Sequence, residues 1–167
     1  SLLTVQGMVC QALARWGSAA QKEQWLPRLA SGEKMAAFGL TEPNIGSDAS
    51  NVETAAVEGE EGFILNGHKQ WISCGQLADV FLIIAQCEGK PSAFLVEREC
   101  PGFSVEPITG MLGFRSAMLA KLHMEDCAIP LENLVGRVGF GFSHVAGAAL
   151  DHGRYCVGWG CLGLAEA

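Results

Sequence analysis

The residues best able to do chemistry cluster in the stretch Thr41-Glu42-Pro43-Asn44-Ile45-Gly46-Ser47-Asp48. It follows the apolar run Met35 to Leu40, so a loop dense in hydroxyls and turn formers leaves the end of a candidate strand, where loops carry function while a sheet supplies rigidity. Gly46 lets the backbone come close to a ligand, and Thr41, Ser47 and Asp48 bring hydroxyls and a carboxylate beside free N–H donors. Such a loop can hold a diphosphate without a lysine. The same residues also suit an ordinary connection, with Asn44-Ile45-Gly46 as the turn and Asp48 as a local cap. A second motif, Gly158-Trp159-Gly160-Cys161-Leu162-Gly163, matches the G-x-G-x-x-G dinucleotide pattern in letters but lacks the preceding strand and the strand-to-helix turn that pattern needs. It reads as glycines that let a neighbouring helix pack close, at a cost in helix propensity. Gly136 to Gly141 reads as a flexible entry to a helix. His152 and Cys156 stand one helical turn apart, but two ligands do not fill a tetrahedral metal site, and no metal is expected.

The chain that must position these groups has 167 residues, 49% of them hydrophobic, enough for a real core. It contains no apolar run long enough for a membrane span and no signal-peptide pattern, so a cytoplasmic location is expected. Seven scattered cysteines without a Cys-x-x-Cys pair fit reduced thiols better than a disulfide framework or a zinc cage. A net charge of −7 argues against a nucleic-acid partner.

Three pieces follow from the pattern: residues 1–34, 35–136 and 137–167. In the first, Leu2, Val5, Met8, Val9, Ala12, Leu13 and Trp16 recur at helical spacing and Gly17 is a stop. Ser18 and Gln21 form a capping-box pair opening a second helix, which Pro27 should end or restart. The second piece is a series of short β-rich runs at residues 35–40, 53–58, 62–65, 68–72, 80–86, 93–97, 103–106 and 119–124, the pattern of a sandwich or barrel. Asn66-Gly67 reads as a type I′ hairpin turn, which makes the sheet mainly antiparallel. From Gly141 helical character returns and runs to Ala167 without a cap, the texture of a piece of a longer protein.

Read together, "TEPNIGSD" and the run Leu65 to Ser73, "LNGHKQWIS", resemble the acyl-CoA dehydrogenase family at its most characteristic segments. "QWLPRLASGE" at residues 24–33, "AFLVE" at 93–97, "PGFSVEP" at 101–107, "IPLENLVG" and "GFGFSHVAGAALDHGR" are similar to the same family in the same order. The resemblance implies an α+β chain: an antiparallel β-barrel or sandwich middle domain that binds flavin, preceded by the end of one helical domain and followed by the start of another. It further implies FAD as cofactor, with Phe38, Leu40, Thr41, Gly46, Ser47, Trp71, Ile72 and Ser73 at matched contact positions, Thr41 and Ser47 donating hydrogen bonds and Trp71 flanking the isoalloxazine. Ser47, Asp151, His152, Gly153 and Arg154 match the segment along the acyl-thioester channel.

The implied reaction is α,β-dehydrogenation: a carboxylate takes an α-proton while a β-hydride passes to the flavin, so flavin, thioester and base must stack together. The base is the main departure. In most members it lies in the last helical domain; in a minority it immediately precedes the arginine matched by Arg154, where this chain has Gly153. No residue here is nominated as the base, and the chain alone is expected to be inactive. The implied partners are acyl-CoA, or an acyl group on a carrier protein as in dehydrogenases of secondary metabolism, which "LDHGRYCVGWGCLG" resembles; an electron-transfer flavoprotein or other acceptor; and further copies of the full-length chain as a homodimer or homotetramer. A reading from another class is a non-catalytic binding or assembly module, against which the hydroxyls of Thr41, Ser47 and Ser73 argue.

Overall fold

Helix α1 (Leu2–Trp16) places Val5, Met8, Val9, Ala12 and Leu13 on one buried stripe, as their spacing requires. In this computed structural model residues 2–167 are described, and the side chain of Leu2, expected in that stripe, lies outside the described residues. Gly17 ends the helix, its N–H donating to the Leu13 carbonyl at 2.8 Å. Ser18 and Gln21 make the expected capping box at the start of α2 (Ala19–Ser31). Pro27 does not stop this helix, contrary to expectation. Trp25 and Leu29, both buried, anchor it on either side, and tertiary packing outweighs the one backbone hydrogen bond the proline removes. Gln21 also donates to the carbonyls of Glu132 and Leu134 at 2.6 and 3.1 Å, fastening α2 to the far end of the sheet.

Eight strands follow: β1 (Ala36–Gly39), β2 (Ala55–Glu58), β3 (Gly62–Ile72), β4 (Val80–Cys87), β5 (Lys90–Glu97), β6 (Phe103–Pro107), β7 (Ala120–Pro130) and β8 (Leu134–Val135). They form one mixed sheet in the order β6-β7-β3-β2-β4-β5-β8, with β1 also paired to β4. β4 divides the interior, because successive strand residues face opposite ways. Val80, Leu82 and Ile84 pack with Leu13, Trp25 and Val145 in one core, whereas Phe81, Ile83 and Ala85 pack with Phe63, Phe94 and Leu122 in the other. Helices cover the first face. The sheet curls over its own second face, bringing the Phe63 and Phe94 rings to 5.0 Å and Phe81 and Phe103 to 4.8 Å. The sandwich part of the expectation therefore holds and the barrel part does not, since β6 and β8 stand at the two ends and do not close on each other.

Among the described residues five strand pairings are antiparallel, as expected of a mainly antiparallel sheet, and two are parallel, β1 with β4 and β2 with β4. They arise because β1 and β2 lie end to end along the same side of β4, facing Val80–Ile83 and Gln86–Cys87 respectively. Between them the loop of residues 40–54 leaves the sheet, and on this side, away from β5, β4 lacks a strand partner opposite Ile84 and Ala85.

Asn66-Gly67 is no hairpin. β3 runs straight through it against β7, and the irregularity is a β-bulge: Leu65 faces Cys127 and Gly67 faces Met124, so the extra residue belongs to β7. Asp126 has φ +49° there, and its N–H donates to the Asn66 side-chain oxygen at 2.8 Å. Gly67, at φ +146°, is needed for close approach, since a Cβ would lie 2.7 Å from Thr54 Cα. Gly67→Ala is expected to lower the unfolding free energy by about 1–3 kcal/mol, read from urea unfolding; an unchanged midpoint would mean that the Thr54 backbone yields freely.

The last element enters through a π-helical turn, Gly141–Ala146, and continues as α3 (Gly147–Glu166). The entry is tightly packed, not flexible: Gly141 lies against the Ser92 backbone too closely for any Cβ, and the Gly139 N–H donates to Ser92 Oγ at 2.9 Å. The G-x-G-x-x-G letters fall in the middle of α3. The close-packing expected of Gly158, Gly160 and Gly163 has no partner among the described residues, for nothing lies within 4 Å of a Cβ at any of them.

Candidate active site

A second bulge shapes the site. Lys69 faces Leu122 and Ile72 faces Ala120, so here the extra residue belongs to β3. Trp71 takes it up at φ +62°, a conformation that costs an L-residue about 1–2 kcal/mol. The extra residue inverts the alternation of the strand. Ile72 turns into the core at 2% exposure, while Trp71 is pushed outward and stays 50% exposed.

Trp71 thereby lines a cleft of about 730 Å³. Its β wall consists of Phe38, Leu40, Thr41, Trp71, Ile72 and Ser73; its helical wall comes from Val5 and Met8 of α1 and from Leu150, Gly153, Arg154 and Val157 of α3. The two segments singled out from the sequence therefore form one surface, joined where the Gln70 N–H donates to the Thr41 carbonyl at 2.9 Å. Phe114, at φ +59° and 74% exposed, closes one side.

Not every candidate is in the cleft. Gly46 and Ser47 sit on the exposed part of the loop and do not line it. That loop is braced by a Glu42 N–H donating to the Ile45 carbonyl at 2.9 Å, and the Asp48 carboxylate binds the side chains of Ser50 and Asn51 instead of capping backbone. Asp151 faces solvent in a weak 3.5 Å pair with Arg154. His152 packs beside Gly7 of α1 and meets Cys156 Sγ at 3.4 Å, a helix-packing contact. Gly153 lies against Met8, whose Sδ would be 2.8 Å from a Cβ, so any side chain there requires Met8 to move.

Behind the β wall lies an ion pair that the reading of the sequence passed over. Lys69 Nζ is 2.7 Å from Glu42 Oε1, with the two side chains 0% and 1% exposed. Lys69 also donates to the carbonyls of Leu40 at 3.2 Å and Ile84 at 2.6 Å. The second of these supplies the donor missing from the β4 ladder between β1 and β2. Glu42 in turn accepts from the N–H groups of Glu53 and Thr54 and from the Thr54 hydroxyl. One buried ammonium and one buried carboxylate thus tie the loop, β2, β3 and β4 together immediately behind Thr41 and Trp71. The available signal was a pair of opposite charges, Glu42 and Lys69, each next to a candidate site residue or its neighbour in the two motifs. For Phe114 no comparable signal exists.

Burial pushes the Lys69 ammonium down from 10.5 to about 8, the charge and hydrogen bond of Glu42 restoring only part of the loss. Burial pushes Glu42 up, but the Lys69 charge and the hydrogen bonds from Lys69, Thr54 and Glu53 outweigh it, and its pKa lies below the ordinary 4.5. From about pH 8 to 10.5 the unfolded chain keeps a Lys69 proton that the folded chain has released, so this group makes stability rise with pH in that window. The Glu42 contribution is present above pH 4.5 and is lost as pH falls through its lower folded value. The difference in unfolding free energy between wild type and Lys69→Met is expected to climb above about pH 8; a flat difference in urea titrations across that window would contradict the assignment.

Among the described residues no group of three or more metal-ligating side chains exists, and no helix is long and apolar enough to cross a membrane. The side chains lining the cleft are apolar apart from Thr4, Thr41, Ser73, Arg154 and the Trp71 indole N–H, and its exposed indole and its size suit a flat aromatic cofactor.

Comparison with known proteins agrees with this geometry. Residues 37–127 match the model of the acyl-CoA dehydrogenase middle domain, and residues 1–33 that of the acyl-CoA dehydrogenase N-terminal domain. The chain is 41% identical to the acryloyl-CoA reductase (NADH) of Anaerotignum propionicum, over 99% of this chain and 44% of that protein. It superposes on a glutaryl-CoA dehydrogenase from Mycobacterium smegmatis in complex with FADH2 with a TM-score of 0.87 at 35% identity, covering 92% of this chain and 40% of that one. FkbI, a protein for biosynthesis of the methoxymalonyl extender unit of Fk520, gives a TM-score of 0.91 at 30% identity, covering 99% and 47%. The chain spans less than half the length of each of these three relatives. Sequence, fold and matched residues together place this chain in the acyl-CoA dehydrogenase family.

Proposed function

We propose that this chain forms the flavin-facing part of an FAD-dependent dehydrogenase of acyl thioesters, carried in the complete protein with residues outside this chain. The observation that supports it most is the single wall made by Thr41, Trp71 and Ser73, opposed across an apolar cleft by α3. FAD, when bound, supplies a hydride acceptor. Trp71 would offer it a rigid plane, and the hydroxyls of Thr41 and Ser73 would be the donors available to its polar edge, where they would favour charge developing on the ring. Phe38, Leu40 and Ile72 form the apolar floor. Gly46 and Ser47, on the exposed loop that continues from Thr41, would hold the diphosphate through N–H groups and a hydroxyl. Val5, Met8, Leu150 and Val157 exclude water from the acyl chain, Gly153 leaves room for it, and Arg154 at the rim meets the polar part of the thioester. Asp151 orients Arg154, and His152 sets the position of α3 against α1. The α-proton is taken by a carboxylate from outside this chain.

In this reading residues 1–34 end a first helical domain, 35–136 are the flavin-binding domain and 137–167 begin a second helical domain. The protein works in the cytoplasm as a homodimer or homotetramer and passes electrons to an electron-transfer flavoprotein or a similar acceptor. An acyl group on a carrier protein is the second reading of the substrate, favoured by the likeness to a protein of polyketide extender-unit biosynthesis. The complete protein is expected to be isolated yellow and to lose its visible flavin absorbance when an acyl thioester is added without air. Colourless protein that ignores added FAD would overturn the reading. Faster bleaching by the carrier-bound acyl group than by the same group on CoA would select the second substrate.

A further inference from the structure

Cys100 and Cys127 stand apart from the cleft and have no part in the proposed reaction. Their sulfurs are 3.3 Å apart, against about 2.05 Å in a disulfide. We propose that these two thiols are a redox modification site, oxidised by hydrogen peroxide to a disulfide that fastens the turn before β6 to β7.

The backbone holds the pair in place. Cys100 sits in the tight turn before β6, its N–H donating to the Glu97 carbonyl at 3.1 Å and its carbonyl accepting from Phe103 N–H at 3.0 Å. Gly102, at φ +80°, presses that turn against β7, and the Glu125 N–H donates to the Gly102 carbonyl at 2.9 Å. The two sulfurs thus ride on segments already locked together, which lowers the entropic cost of joining them. Cys127 is fully buried, whereas Cys100 is half-buried and lines a surface depression of about 400 Å³ shared with Glu97, Glu99 and Glu132. Three carboxylates at the opening disfavour anionic oxidants such as glutathione disulfide and leave a neutral peroxide as the reagent that reaches the sulfur.

Cys100 reacts first, because burial and the adjacent Cys100 thiol push Cys127 up to about 12 and keep it protonated. The Cys100 thiolate attacks one peroxide oxygen, the O–O bond breaks, and the departing oxygen leaves as water with the thiol's former proton, giving a sulfenic acid. The Cys127 sulfur then attacks Cys100 Sγ; the S–O bond breaks, the S–S bond forms, and the hydroxide takes the Cys127 proton and leaves as water. Two thiols lose two electrons and two protons, and one peroxide becomes two waters. The bond closes a loop between residues 27 apart in sequence, which includes Phe114 of the cleft wall.

Reduced protein treated with stoichiometric hydrogen peroxide and digested without reductant is expected to yield a cross-linked peptide pair containing Cys100 and Cys127, two hydrogens lighter than the separate peptides and separated by dithiothreitol. Cys100→Ser is expected to abolish the pair. Cys127→Ala is expected to leave a sulfenic acid at Cys100 that dimedone traps, and the oxidised wild type is expected to melt several degrees higher than the reduced. Glutathione disulfide is expected to react much more slowly. Oxidation confined to the exposed Cys161, or Cys100 oxidised without linkage to Cys127, would overturn the proposal.

Discussion

Lys69→Met is expected to lower the unfolding free energy by about 3–5 kcal/mol, the cost of leaving the other member of a buried pair without its counter-charge. The geometry makes this position unusually sensitive. Glu42 keeps 1% exposure and so has no water to replace the ammonium, and the Leu40 and Ile84 carbonyls lose a donor at the same time. The damage also spreads to the cleft, because Glu42 follows Thr41 directly and Gln70, beside Lys69, is the residue that binds the Thr41 carbonyl. Flavin affinity of the complete protein should fall with stability. The double variant Glu42→Gln, Lys69→Met removes both charges and should be more stable than Lys69→Met alone, which a double-mutant cycle in urea resolves. A single variant within about 0.5 kcal/mol of wild type would mean that water or a rearranged loop satisfies the carboxylate, and the pair would then not organise the wall.

Trp71→Gly should have the opposite signature: weaker cofactor binding without loss of folding stability. Glycine adopts φ +62° freely, so the substitution removes a strain of about 1–2 kcal/mol. The indole is half exposed, so little packing is lost with it. If the indole stacks on the isoalloxazine, its removal should weaken FAD binding by about 10- to 100-fold, the range found for other aromatic stacks on flat heterocycles. Titrating FAD into apoprotein of the complete chain, alongside urea unfolding, reads both quantities. A variant that loses stability and keeps its FAD affinity would show that Trp71 is a core aromatic and not a wall of the site.

Much of the organisation was legible because it is local. The α1 stripe, the Gly17 stop, the Ser18–Gln21 capping box and most strand positions depend on spacing and on residues within a turn or two of one another. The failures share one physical origin. Pro27 was misjudged because the packing of Trp25 and Leu29 outweighs a local propensity. Asn66-Gly67 was misjudged because the residue that makes it a bulge, Asp126, is 60 positions away. A strand that bulges and a strand that turns carry the same Gly signal, and only the partner strand distinguishes them. The site divides along the same line. Phe38, Leu40, Thr41, Trp71, Ile72, Ser73, Gly153 and Arg154 do line one cleft, whereas Gly46, Ser47, Asp151 and His152 do not. Phe114, Val5 and Met8 join it from segments with no chemical mark.

By itself the sequence singled out two candidate segments, the hydroxyl-rich loop after β1 and the run that ends β3, and it did so through their joint resemblance to one family, since the residue types of the loop alone also suit an ordinary connection. Tertiary structure alone decided that they form one wall. Side-chain direction along a strand alternates with each residue, so a single inserted position between Lys69 and Ile72 chooses whether the indole faces core or cleft. Lys69 finds Glu42 only after β1, β2 and β3 have gathered around β4, and no local spacing encodes a contact between residues brought together by the assembly of a sheet.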